Sequence, residues 1–201
     1  MLSFFGIILA FHGELLAQVG PGPEYYQTGH ERVQSYIFRT YTDPARLGWL
    51  FVDAATDTWS RSPQEWDRSP ECYSFRVASG WGRRIVRNTA QLAFEAMLHE
   101  DTRYRPSHEN GLHRRVLFAL RRSVLSYKPD GNSQVAYGLI AAGVTSAALS
   151  STWHPQSTDA DALLSGIGQA ALDRAGGNLL AEFEPELKRF GRKTWHRVVK
   201  R

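Results

Sequence analysis

The chain has 201 residues, of which 42% are hydrophobic and 22% charged, and a net charge of +4. That length suits one domain with a core of its own and is short for two, and the composition excludes both a disordered chain and a multispan membrane protein. Its single cysteine, Cys72, rules out an internal disulfide and a cysteine-based zinc site.

Residues 2–11, LSFFGIILAF, have the length of the apolar region of a secretory signal, and Leu15-Leu16-Ala17 before Gln18 resembles a cleavage site. Residues 1–17 therefore read as a signal peptide, and export to the periplasm or cell envelope is expected. No Lys or Arg precedes the run, and His12 and Glu14 stand between it and the expected cut, so an uncleaved anchor or a buried segment is the alternative. Spanning a bilayer takes about 20 apolar residues, more than this run holds. GPGPE at 20–24 punctuates both helix and strand, and residues 18–42 are expected to be an irregular linker.

A helical domain is expected over 43–187. Asp43-Pro44 is a start signal, with Asp accepting from exposed amides and Pro at the first helical position, for a helix to about Ser60. Ser62-Pro63 and Ser69-Pro70 bound a loop, and a second helix is expected from Tyr73 to Glu100 with a bend at Gly80 and Gly82. A third, Gly111–Tyr127, projected at about 100° per residue, gathers Leu112, Val116, Leu117, Leu120, Val124 and Tyr127 on a face read as core. Arg114, Arg115, Arg121 and Arg122 fall on the other face, with Phe118 and Leu125 among them. Functionally that face suits an anionic partner; structurally, arginine stems covering apolar surface need none.

Pro129-Asp130-Gly131-Asn132 is a turn. In the segment that follows, Gly138, Ala142, Ser146 and Ser150 recur every four residues, a small-residue edge that lets another backbone approach. Val135–Leu149 reads as a buried central helix, being too short to span a bilayer. Thr158-Asp159 opens the last long helix, where Ala162, Gly166 and Ala170 repeat the spacing and predict contact with the preceding helix. Gly176-Gly177 is expected to break it, and Glu182, Glu184 and Glu186 to face solvent or the arginine surface. No alternating strand pattern stands out.

The stretch 97–115, MLHEDTRYRPSHENGLHRR, is the densest in groups that do chemistry. An HExxH zinc site needs a histidine at 103, where the chain has Arg103. Adjacent His99, Glu100 and Asp101 diverge on a helix and cannot address one ion from regular structure. His108 and His113 flank a break at Asn110-Gly111. Two readings stand: a pocket collecting His99, Glu100, Asp101, His108 and His113 for hydrolytic or metal-dependent catalysis, or a connection between helices in which Arg103 and Arg105 pair with Glu100 and Asp101, Pro106 stops one helix, and Ser107 or Asn110 caps the next. A nucleophile elbow, a phosphate-binding glycine loop and a dinucleotide fingerprint are absent as contiguous motifs, so no cofactor or metal is expected.

Charge alternates along the chain: −4 over 1–75, +7 over 76–128, −6 over 129–187 and +7 over 188–201. The terminal segment, KRFGRKTWHRVVKR, is a basic tail in which Lys188, Arg189, Arg192, Lys193 and Arg197 suit anionic phospholipid, or form a solvated terminus. Twenty of the 24 basic residues are arginine, a flat bidentate donor suited to phosphate and carboxylate.

The order LHEDTRYR, then GLHRRVLFALRRSVLSYKPDGNSQVAYGLIAAGVTSAAL, then LLAEFEPELKRFGRK, resembles a family of exported bacterial proteins with no established function, over residues 36 to 193. The chain departs from that pattern at Thr102, where proline is usual, and at Trp153-His154, where paired tyrosines are usual. The resemblance implies export and a helical fold and carries over no catalytic residue. The expectation is an all-α protein: a single bundle of about five helices in contact through Gly, Ala and Ser. It serves a structural or binding role in the envelope, meeting an anionic membrane surface or another envelope protein through its arginine helix and tail. Nucleic acid is the weakest partner, because export separates the tail from it.

Overall fold

The computed structural model describes residues 26–107, 109–155 and 160–190. The expected signal segment, His108, and Arg192, Lys193 and Arg197 of the tail lie outside them. The elements are α1 (Gly29–Ile37), a π-helical turn (Phe38–Thr42), α2 (Pro44–Ser60), α3 (Pro70–Met97), α4 (Leu112–Val124), β1 (Leu125–Tyr127), β2 (Ser133–Val135), α5 (Tyr137–Ser150) and α6 (Ala160–Glu182). The protein is a mostly helical bundle in which α3 packs on α2 and α5, and α6 packs on α5 and α4.

The helix starts follow from local chemistry. Asp43 accepts from the amides of Ala45 and Arg46, with Pro44 at the first helical position. Ser69 does the same for Cys72 ahead of α3, so that helix starts at Pro70, earlier than expected, and runs unbroken through Gly80 and Gly82. Residues 29–42, expected irregular, are helical: Thr28 and Glu31 form a reciprocal capping box that opens α1. The last turn of the expected third helix is strand instead. β1 pairs antiparallel with β2, Leu125 opposite Val135, across the turn at 128–132, and three-residue strands are too short to show periodicity. α6 passes through Gly176 and Gly177 without the expected break.

α5 is central. Gly138, Leu139, Ala142, Gly143, Ser146, Ala147 and Ser150 are all buried. The two helices meet through small residues as expected, backbone on backbone, but on α5 the contact is made by Gly143 and Ala147, whereas Gly138 and Ser146 of the expected edge lie against Glu95 and Arg83 of α3. A Cβ placed on Gly143 would lie 2.8 Å from Ile167 Cα, and one on Gly166 would lie 2.7 Å from the Gly143 carbonyl oxygen.

The interior is unusually polar. Among the described residues nine hydrophobic side chains are buried, six of them alanine, against twenty polar or charged ones, so hydrogen bonds and ions rather than apolar bulk hold its centre. Glu95 accepts from Gln91 and Thr102, both at 2.5 Å. Arg174, half-buried, donates to the carbonyls of Thr102 and Leu125 and answers the charges of Glu95 and Glu100. Its burial pulls the guanidinium down to about 10.

α4 reverses the expected assignment of faces. Leu112, at 70% exposure, Leu117 and Leu120 point to solvent, while Ala119, Arg122 and Ser123 are buried. The reason lies on α6, whose facing positions are polar: Asn178 donates to the Ala119 carbonyl and to Ser123 Oγ, and Glu182 receives Arg115. A polar partner face selects the polar face of α4, and the leucines are left outside.

Candidate functional site

The stretch 97–115 is the hub of the fold. α3 ends at Met97, and His99 turns the chain with φ of 52°, in the left-handed region. Glu100 is then carried to the start of α5, where its carboxylate accepts from the amides of Tyr137 and Gly138 at 3.0 and 3.1 Å and from Gln134. It is a helix cap supplied from 37 residues away, placed at the positive end of the helix dipole. Burial pushes this carboxyl up, although the two amides pull the other way. Gly138 is what lets it approach: a Cβ there would sit 3.1 Å from Glu100 Oε2.

Asp101 exchanges backbone hydrogen bonds with Tyr127, extending the hairpin, and its carboxylate holds Arg103 and Arg105. The chain then reaches Glu182 of α6, which accepts from Tyr104 Oη at 2.5 Å, from Ser107 N and Oγ at 2.8 and 2.6 Å, and from Arg115 Nε at 2.8 Å. Burial raises the Glu182 carboxyl, but these donors outweigh it and hold the group at about 2. Ser107 therefore does not cap α4; Gly111 does, at a φ of 102° that favours glycine. Arg103 and Arg105 pair with Asp101 as the connecting role requires, whereas Glu100 takes the helix.

The candidate catalytic residues are not brought together. His99 and His113 are exposed while Glu100 and Asp101 are buried and bonded within the fold. Among the described residues, no group of three or more His, Cys, Asp or Glu is placed to hold a metal ion. Of the arginines expected to meet an anionic surface, Arg122 is buried with its guanidinium 3.5 Å from the centre of the Tyr127 ring. Arg115 is bound to Glu182 and Glu186. Arg114, Lys188 and Arg189 are exposed, and Arg121 is half-buried.

A groove of about 630 Å³ lies elsewhere, along one side of α3. Phe75, Ala78, Ser79, Gly82, Ile85 and Val86 form its floor, with Trp66 and Trp153 as walls. The spacing of those α3 residues follows the helical period, so the groove is a stripe of one helix left uncovered. Trp66 is positioned by buried Arg76, which donates to the carbonyls of Ser62, Trp66 and Asp67 at 2.9, 2.7 and 2.8 Å.

At the floor, Ser79 Oγ and His154 Nδ1 are 3.1 Å apart, and the imidazole meets the Trp66 ring edge-on at 5.1 Å. Burial, reinforced by Arg83 and Arg76, drops His154 to about 4, so the ring is neutral at pH 7. No carboxylate hydrogen-bonds this ring among the described residues, so the pair lacks the orienting third group of a nucleophilic triad. The site offers an apolar surface with one hydroxyl and one imidazole beneath it, which is binding geometry. Periodicity places Phe75 to Val86 on one side of α3, but nothing in the sequence joins Ser79 to His154, 75 residues on.

No family model, curated protein or solved structure matches the chain. The functional reading therefore rests on its own geometry.

His154 gives a direct pH test. Its folded value of about 4 lies below the ordinary 6.5, so the unfolded state takes the proton first, and stability present above pH 6.5 is lost as pH falls towards 4. Urea midpoints across that window should decline in the native protein, and His154→Gln should flatten the decline. An equal slope in the variant would remove His154 from the account.

Proposed function

We propose that the protein is an exported, envelope-associated binding protein that rests on an anionic membrane surface, seated by apolar side chains and held by its basic tail. One observation carries this reading: an uncharged stripe runs along the outward side of α2, with exposed Asp53 at its edge. Ala45, Gly48, Val52, Ala55, Thr56 and Trp59 are all exposed and share one stripe, with Trp49 and Phe51 exposed beside it. Trp59 is 82% exposed, an expensive placement in water and a favourable one at the lipid headgroup level.

No helix among the described residues is long and apolar enough to cross a membrane, so the contact proposed is interfacial. Exposed Arg114 and Arg189, with Arg192, Lys193 and Arg197 beyond the described residues, supply attraction to anionic headgroups, and Lys188, exposed as well, is paired with Glu184. Each such cation contributes about 1 kcal/mol near the surface. Arg115 and Arg122 are left out of that set, being bound within the fold.

Cosedimentation with vesicles of neutral and of anionic lipid over a salt series separates the two parts. Anionic vesicles should retain the protein more strongly at low salt, and replacing the tail cations by glutamine should abolish that difference. The double variant Val52→Asp, Trp59→Ala should weaken binding to both lipids at all salt concentrations. Failure to sediment with either lipid would end the proposal.

A further inference from the structure

A second, smaller cavity of about 80 Å³ is enclosed by α3, α5 and α6. It is lined by Arg83 and Arg87, which are one helical turn apart, and by Ser146, Ser150, Ser165 and Gln169, with Ala147, Ala162 and Gly166 filling the gaps. About 10–15 Å³ holds one water on this measure, so the space takes several waters or one tetrahedral oxyanion.

Its polar groups are mostly donors. Arg87 pairs with Asp173 at 2.5 Å. Arg83 is attracted by Asp57 and Asp53 from α2, yet its guanidinium makes no hydrogen bond or ion pair among the described residues. Arg84, between them in sequence, donates to the Arg46 carbonyl. Of the two cations that line the cavity only Arg87 has a carboxylate in contact, so the lining itself carries more positive than negative charge, with Asp53 and Asp57 acting on Arg83 from α2. Ser146 Oγ ties α5 to the Arg83 carbonyl at 3.1 Å, and the Gly143–Gly166 approach fixes α6 beside it, so the walls are rigid. Ser165 and Gln169 are exposed, which places a mouth on α6.

We propose that this cavity binds one phosphate-like oxyanion, with Arg83 as its principal donor, Arg87 shared between the anion and Asp173, and Ser165 and Gln169 at the rim. The proposal is independent of the membrane reading. The same chemistry has two sources, free inorganic phosphate and the headgroup of a phosphatidate, and the test distinguishes them.

The full chain is titrated with inorganic phosphate against chloride at constant ionic strength, by calorimetry and thermal shift, and separately with vesicles of phosphatidylcholine with and without phosphatidate. Saturable binding is expected, weakened about tenfold or more by Arg83→Gln, since a charge-assisted hydrogen bond is lost. Gln169→Glu, at an exposed position that leaves the fold intact, should do the same by repulsion, and Arg114→Gln should leave binding within about twofold because a distant exposed cation contributes little. Phosphate binding with this pattern assigns the free anion; the pattern in phosphatidate vesicles alone assigns the headgroup. The absence of saturable binding in either arm, or an equal response from all three variants, overturns the site.

Discussion

Glu182→Ala should be among the most destabilising single substitutions in the protein, costing about 2–4 kcal/mol. The carboxylate is enclosed, and four donors from three places converge on it: Tyr104 Oη, the amide and hydroxyl of Ser107, and Arg115 Nε. Truncation leaves them without their acceptor, and unpaired buried donors carry their full desolvation cost. The figure lies below that for a sealed ion pair because Arg115 retains 22% side-chain exposure and keeps Glu186. In a chain of this size the loss corresponds to a fall in Tm on the order of 10 °C.

Glu186→Gln, which removes only the exposed partner of Arg115, should leave Tm essentially unchanged. The acid limb offers a second readout. Glu182 is held at about 2 against an ordinary 4.5, so its contribution is complete above pH 4.5 and is lost as pH falls towards 2. The variant should lack that limb while keeping the one set by His154 at higher pH. Equal Tm values for the native protein and Glu182→Ala would show that the junction of α4, α6 and the 101–107 segment is held by something else.

That junction also marks where sequence reasoning reaches and where it stops. The Asp43-Pro44 start and the turn at 129–132 are local signals that appear in the structure as read, and the small-residue contact of α5 with α6 appears too, one position round from the edge that the spacing picked out. The capping box at Thr28 and Glu31 is equally local; it was legible but hidden by the Gly-Pro run before it. The face of α4 was not legible in that helix alone, because periodicity identifies two faces and hydrophobicity selects the inner one only when the neighbour is apolar. Here the neighbour presents Asn178 and Glu182, so Arg122 and Ser123 turn inwards and Leu117 and Leu120 outwards. The clue lay 55 to 67 residues away, in Asn178 and Glu182 of α6.

The same logic explains the stretch 97–115. Its density of Glu, Asp and Arg signals chemistry to a reader of motifs, yet the chemistry is spent inside the molecule: Glu100 on a helix start, Asp101 on two arginines, and Arg115 on α6. An interior built this way leaves few large apolar groups to bury. Large apolar side chains are instead exposed along every helix, and those on α2 form the stripe that the proposed membrane contact uses. Polar core and apolar surface are two consequences of one distribution of residues.

Gly143→Val should rival the loss of Glu182, at about 3 kcal/mol, by the opposite mechanism of too much volume. Even the first added carbon would lie 2.8 Å from Ile167 Cα and 3.0 Å from the Gly166 carbonyl oxygen. Both are backbone atoms that no rotamer change can move, so α5 and α6 must separate, and valine adds two methyl groups to the same gap. Separation would reach further than the contact itself, because α6 also carries Arg174, Asn178 and Glu182, whose partners lie on other elements. Gly168→Ala supplies the control on the same helix: its position has open space, so alanine should stabilise by up to about 1 kcal/mol through helix propensity and a less flexible unfolded chain. Urea midpoints that fall sharply for Gly143→Val and rise for Gly168→Ala would establish backbone contact, and matching shifts in the two variants would refute it.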